Sequence, residues 1–463
     1  MCGAKEATAA LMATKVNMES DTMITLLTGQ RARCCDGIPR RSFVKAGFLG
    51  LAGLSMPQML RIRAQAASAG KPLASTSVIF INLQGGPTQF ETYDPKPEAP
   101  ADYRGAFGSI PTRLPGVHFC ELMPQQAKIA DKMAIIRSVH QMGNSHYASL
   151  HLAQTGYPGD RFQENRMPSV GSIAARLRGA NARGIPPYVS IIKQSFGPFG
   201  RAAYLGNSYD PLQIDNPSQP DAQVKNLALL EELTTSRLSD RRDLLGKLDA
   251  ARRLVDQGGV GEAMDEFGHR AFEMVTGNRA RDAFDVSKED PAVRESYGDN
   301  RIGQGMLLAR RLVEAGVTFV TVCVDGWDDH GKIAERMAGR GPRYDRAMAA
   351  LVSDLYARGL DREVLVVSMG EFGRTPRINK RAGRDHWGAL MSAALAGGGL
   401  RMGQVVGASD PKGQAPTRAP YRPESVLAMV YRHLGIDPAQ TFDDHTGRPH
   451  HILSHRKLIH ELI

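Results

Sequence analysis

The strongest constraint on this chain is a repeated alternation of short β-branched runs with helical stretches of ten to fifteen residues. Ser77 to Leu83 (SVIFINL) reads as a buried strand closed by the loop Gln84-Gly85-Gly86-Pro87. Met133 to Arg137 and Tyr188 to Ile192 are further short strands. Val317 to Val324 (VTFVTVCV) and Val364 to Met369 are the most strand-like segments of the second half. Between them lie helical patterns at Glu121–Ala130, His146–Gln154, Ser169–Leu177, Gln304–Ala315, Tyr344–Arg358 and Ser425–Leu434. Such alternation predicts an α/β fold, a doubly wound, mostly parallel sheet with helices on both faces. In sheets of this kind chemistry collects in loops beyond the carboxyl ends of the strands. From Asn207 to Arg301 the texture becomes charged and amphipathic, which predicts a helical insertion within a single domain running from 70 to 463.

The first 69 residues read differently. A basic segment ending at Lys45 is followed by a mildly apolar stretch, Ala46 to Leu60, broken by glycines and Pro57. Two A-x-A cleavage candidates follow, Ala64-Gln65-Ala66 and Ala67-Ser68-Ala69. A membrane-spanning helix needs about 20 strongly apolar residues, so this stretch predicts a signal peptide and no stable membrane span. Arg40-Arg41-Ser42-Phe43-Val44-Lys45 resembles the twin-arginine export signal. That resemblance implies the translocase of that pathway as a partner, export in the folded state, and a periplasmic or extracellular protein. The leader holds nine Lys/Arg against four acids, half of the formal charge of +10. No block of clustered Lys/Arg stands out in the remainder, so a nucleic-acid partner is not expected. Only Cys120 and Cys323 lie beyond the leader, with no C-x-x-C spacing, which excludes a zinc knuckle and a disulfide-stapled scaffold.

Four loops after predicted strands are dense in carboxylates and imidazoles. They are Gly85–Lys96, with Glu91 and Asp94; Ser138–His146, with His140 and His146; Asp325–Gly331, with Asp328 and His330; and Gly370–Pro376, with Glu371 and Arg374, followed by His386. Carboxylate oxygen and imidazole nitrogen are the donors that divalent zinc or manganese prefer, with calcium as the oxygen-rich alternative. Asp328 and His330 are two apart, which in extended backbone points both the same way. Arg374 offers a planar fork suited to phosphate or sulfate. There is no Walker A sequence, no G-x-S-x-G elbow and no G-x-G-x-x-G turn.

The motifs GGPTQFETYDPKP, RSVHQMGNSHYASLHLAQTGY, GWDDHG, GEFGRTPRIN and GRDHWG together resemble the family called domain of unknown function 1501. The family is placed in the alkaline phosphatase and sulfatase superfamily. The resemblance implies metal ions at strand ends, with Asp328, His330, Glu371 and His386 as ligands and Asp94 or Glu91 as a further acid. It also implies hydrolysis of a phosphate or sulfate ester of a small molecule or carbohydrate. No Ser or Thr nucleophile falls in register at the start of the helix at 146, where the superfamily keeps one. His146 is therefore expected to act as ligand or general acid–base, with water as the attacking group, and Arg374 to hold the anion. The missing nucleophile also leaves open a non-catalytic extracytoplasmic binding or scaffolding protein.

Overall fold

The computed structural model describes residues 75–159, 167–195, 199–218 and 278–463; the leader and most of the expected insertion lie outside them. Eight strands form the central sheet: β1 (Ser77–Leu83), β2 (Met133–Val139), β3 (Tyr188–Ile191), β4 (Leu212–Ile214), β5 (Phe319–Val324), β6 (Val364–Gly370), β7 (Met391–Gly397) and β8 (Gln404–Val406). Their order is β8-β2-β7-β6-β1-β5-β3-β4. Every neighbouring pair is parallel except the two that β7 makes, with β2 and with β6. The expected doubly wound, mostly parallel sheet is what the chain forms.

Residues of β1 alternate between two cores, as period-2 geometry demands. Ile79, Ile81 and Leu83 pack toward helices α1 (Pro124–Lys128), α4 (Arg301–Ala315) and α5 (Ile333–Ala357). Val78 and Phe80 face α2 (His146–Thr155), α3 (Val170–Arg178) and α6 (Pro423–His433). All seven residues of β1 are buried, which explains why its sequence is a continuous apolar run rather than an alternating one. Cys120 and Cys323 are separate buried thiols.

Three departures from expectation have physical causes. β7 is Met-Ser-Ala-Ala-Leu-Ala-Gly, rich in a helix-favouring residue, and only its burial between two strands makes it extended. β4 lies inside the segment expected to be helical, where three residues pairing with β3 at the edge of the sheet are too few to read as a strand. Helix α5 begins eleven residues before the expected start and carries Pro342 within it. Its first turn is fixed by the Lys332 and Ile333 amides donating to the carbonyls of Arg381 and Ala382 at 3.0 and 2.8 Å.

A buried charge network returns the chain to the sheet after residue 278. Arg310 on α4 is 1% exposed and binds Glu289, Glu314 (2.7 Å) and Asp354 of α5 (2.9 Å). Arg311 and Arg358 also reach Glu289, at 2.8 and 3.2 Å. Burial opposes ionisation of Glu289, but hydrogen bonds from Arg310 and Arg311 outweigh it and bring the carboxyl down to about 2. A depressed carboxylate stabilises the fold fully above its unfolded value, near 4.5, and the contribution disappears as pH falls toward 2. Roughly 3 kcal/mol is at stake by the usual conversion. Glu289→Gln should therefore flatten the loss of stability between pH 4.5 and 2 seen in urea titrations of the unaltered protein. An unchanged profile would rule the network out as the origin of acid sensitivity.

Candidate metal centre

The reversed direction of β7 keeps the whole connection 371–390 at the carboxyl end of the parallel strands. Glu371, Arg374, Asp385 and His386 therefore arrive beside the loops that follow β1, β2 and β5. The order β6-β1-β5 brings those loops side by side.

The loop after β1 can lie against the loop after β5 only because residue 85 is glycine. Gly85 has φ +111°, and a Cβ there would sit 2.4 Å from the Asp328 amide nitrogen. Arg374 locks the two loops together. Its guanidinium is fully buried and donates to the carbonyls of Gly86 (Nε, 2.9 Å), Arg384 (Nη1, 2.9 Å), Trp327 (Nη2, 3.0 Å) and Gly85, and to Asp328 Oδ1 (Nη2, 2.7 Å). The expectation that Arg374 holds a substrate anion is thus replaced by another role. Its donors are spent on backbone carbonyls and on fixing Asp328, with no face left toward solvent.

Around Asp328 three imidazoles converge. His330 Nε2 lies 3.0 Å and His386 Nε2 3.2 Å from Oδ1, while His146 Nε2 lies 3.4 Å from Oδ2. Each ring is aimed from behind. His330 Nδ1 donates to Asp385 Oδ1 at 2.6 Å, and Asn379 steadies that carboxylate at 3.1 Å and the His330 carbonyl at 3.1 Å. His386 Nδ1 donates to the Asn144 carbonyl at 2.8 Å. His146 Nδ1 donates to Glu371 Oε1 at 2.8 Å, an oxygen that also accepts from the Gly85 amide at 2.9 Å. With Nδ1 committed in both His330 and His386, their Nε2 atoms face each other at 2.9 Å. Two neutral rings in that pose set lone pair against lone pair, which a shared cation relieves. His146, Asp328 and His386 each offer a ligand atom within 4.8 Å of the others. Outer carboxylates and carbonyls that orient histidines are the support a metal site requires.

The electrostatics agree with the geometry. Burial opposes ionisation of Asp328, but the hydrogen bonds and positive charge of its neighbours, the Arg374 guanidinium among them, hold its carboxyl well below the usual range. Burial alone would lower His146, yet its hydrogen bonds to Asp328 and Glu371 push it up to about 9. Phe372 closes one side, with ring centroids 4.4 Å from His386 and 5.1 Å from His146.

Asp328, His330 and His386 are thus brought together, and His146 joins them. Glu371 does not reach the group directly; it holds His146 instead. Asp94 is elsewhere, buried and bound to Lys96 (3.1 Å), Arg137 (3.6 Å) and Ser409. Glu91 is likewise occupied, by the buried Arg384 at 2.8 Å, with both side chains enclosed. The sequence reading passed over Asp385, Asn379 and Asn144. Only Asp385 had a visible signal, its place beside His386 in GRDHWG. Trp327, 1% exposed and edge-on to Tyr344, supports the loop from beneath.

Fold and site together define a doubly wound α/β protein with a histidine–aspartate cluster at its strand ends. The chain belongs to the family described as protein of unknown function DUF1501, whose profile matches residues 75–463. No curated protein matches it. Among solved structures, the PsFucS1 sulfatase from Pseudoalteromonas sp. matches with 12% identity over 80% of this chain and 70% of that one, TM-score 0.36. A protein in the alkaline phosphatase superfamily from Vibrio parahaemolyticus matches with 9% identity over 79% and 69%, TM-score 0.36. A TAB5 alkaline phosphatase variant with magnesium bound matches with 9% identity over 79% and 100%, TM-score 0.34.

Arg374→Met should cost about 3 kcal/mol in denaturant unfolding, because it leaves several carbonyls without their donor and the half-buried Asp328 carboxylate without its guanidinium. Arg374→Lys should recover little, since one ammonium cannot span donors set by a planar fork. A methionine variant within 1 kcal/mol of the unaltered protein would sink the clamp.

Proposed function

We propose that this chain is an exported, metal-dependent hydrolase of a phosphate or sulfate ester borne by a small molecule or a carbohydrate. The supporting observation is the pair of imidazole Nε2 atoms held 2.9 Å apart beside Asp328, each ring locked through its Nδ1. Asp328, His330 and His386 are the residues that would hold the cation, with imidazole favouring zinc or manganese over calcium. A divalent cation there supplies the positive charge that polarises a phosphoryl or sulfuryl oxygen.

The chain's own groups divide the remaining work. Glu371 holds His146 through Nδ1, so Nε2 is the atom at which this ring accepts or returns a proton. Arg374 keeps Asp328 ionised and in place. Phe372 keeps water off one side of the imidazoles. The leader, through Arg40 and Arg41, carries the folded protein to the twin-arginine translocase and so to the periplasm or beyond.

A second reading, a non-catalytic extracytoplasmic binding or scaffolding protein, has its own supporting observation. Among the described residues no Ser, Thr or Cys side chain is hydrogen-bonded to Asp328, His330 or His386.

Elemental analysis of protein purified without chelators should find about one equivalent of a transition metal, lost in His330→Ala and His386→Ala. p-Nitrophenyl phosphate or sulfate turnover should fall in both variants by at least the roughly 100-fold that loss of an outer residue orienting a ligand can cost. Metal without turnover of either ester would favour the binding protein, and no metal would end the hydrolase reading and leave the binding protein in the lead. Separately, Arg40→Lys with Arg41→Lys should leave the precursor in the cytoplasm on fractionation; continued export would remove the twin-arginine assignment.

A further inference from the structure

Two strings of basic residues, forty positions apart in sequence, become one surface beside the cluster. Residues 332–343 and 377–381 hold seven Lys or Arg against the single acid Glu335. Backbone hydrogen bonds tie them together, from Lys332 to Arg381 at 3.0 Å and from Ile333 to Ala382 at 2.8 Å. The Asn379 side chain then ties the second string to the His330 carbonyl. The cations reach the site's own loops. Arg336 Nη1 donates to the Asp328 carbonyl at 3.3 Å, and Arg381 Nη2 lies 3.9 Å from Asp385, the carboxylate that aims His330. Lys332 and Arg377 extend the surface outward, each 73% exposed at the side chain.

The four acids facing the seven cations do not neutralise them. Glu335 pairs with Lys332, Asp102 with Arg377, Asp385 with Arg381, and the buried Asp329 is shared by Arg340 and Arg336. Lys380 and Arg343 have no ion-pair partner among the described residues. A fixed array of like charges beside a cleft raises the local concentration of an oppositely charged ligand, over about a Debye length of 8–10 Å. One small oxyanion at Asp328 and His330 would leave most of the array unused.

We propose that this surface is a cationic rim that binds a carbohydrate chain bearing several sulfate or phosphate groups, alongside the one presented to the cluster. The proposal rests on the ester-hydrolase reading and names its substrate class. Neither 332–343 nor 375–385 contains Phe, Tyr or Trp, so the rim lacks the stacking platforms by which proteins hold single-stranded nucleic acid.

The test is binding of full-length protein to dextran sulfate, neutral dextran and a DNA duplex of similar charge, at low and moderate salt. Dextran sulfate should bind and weaken with salt, whereas neutral dextran should not bind. Lys332→Glu with Lys380→Glu should weaken the complex about tenfold, within the range that steering fields give. Arg362→Glu with Arg432→Glu applies the same charge change at the opposite end of the sheet. Arg362 precedes β6, and Arg432 adjoins His433, which donates to the first residue of β1. That pair should change little. His386→Ala should lose metal yet retain the polymer, separating failure of the rim from failure of the metal centre. Equal losses from the two double variants, no preference over neutral dextran, or tighter binding of DNA than of dextran sulfate would each overturn the rim.

Discussion

The site depends on one enclosed guanidinium. Arg374 binds carbonyls from the loops after β1, β5 and β6 and, through Nη2, the carboxylate around which three histidines gather. A buried positive charge is tolerated only where its donors are met and an anion is near. Here that condition couples loop closure to the placement of Asp328. Without the closure the backbone carbonyls would lack donors; without Asp328 the charge would lack its counter-ion. The same residue therefore serves the fold and the chemistry, and neither requirement can be relaxed separately.

Much of this was legible from sequence because strands in parallel sheets are buried on both faces and read as apolar runs. SVIFINL, VTFVTVCV and VLVVSM are unambiguous for that reason, and the loops after them could be picked out as places where ligands collect. Asp328, His330 and His386 were chosen by residue type and position, and they are neighbours in space. The same logic could not assign Arg374 or Glu371 correctly. A residue type states what a side chain offers, but not whether backbone carbonyls or another side chain have already taken it. Asp94 is the same case, since Lys96 and Arg137 claim it.

What stayed hidden has a common cause. β7 carries alanines whose intrinsic preference is helical, and its extended form is imposed by the strands on either side. The first turn of α5 is set by carbonyls forty-nine residues away. The basic strings at 332–343 and 377–381 are sparse as sequence and dense as a surface, and only the backbone pairing of 332–333 with 381–382 brings them together.

That pairing, and the reversed strand that follows it, also determine when the centre can exist. His146 enters with the second sheet strand, whereas Asp385 and His386 come near the end of the chain, across contacts of more than two hundred residues. Contacts of such separation close late, because the entropy of closing so long a loop must be met before they stabilise anything. During synthesis the imidazoles of a growing chain stay apart until nearly all of it has emerged. A fragment ending anywhere before residue 385 would retain several sheet strands but lack both His386 and the carboxylate that aims His330. Full assembly of the cluster would thus mark a finished fold.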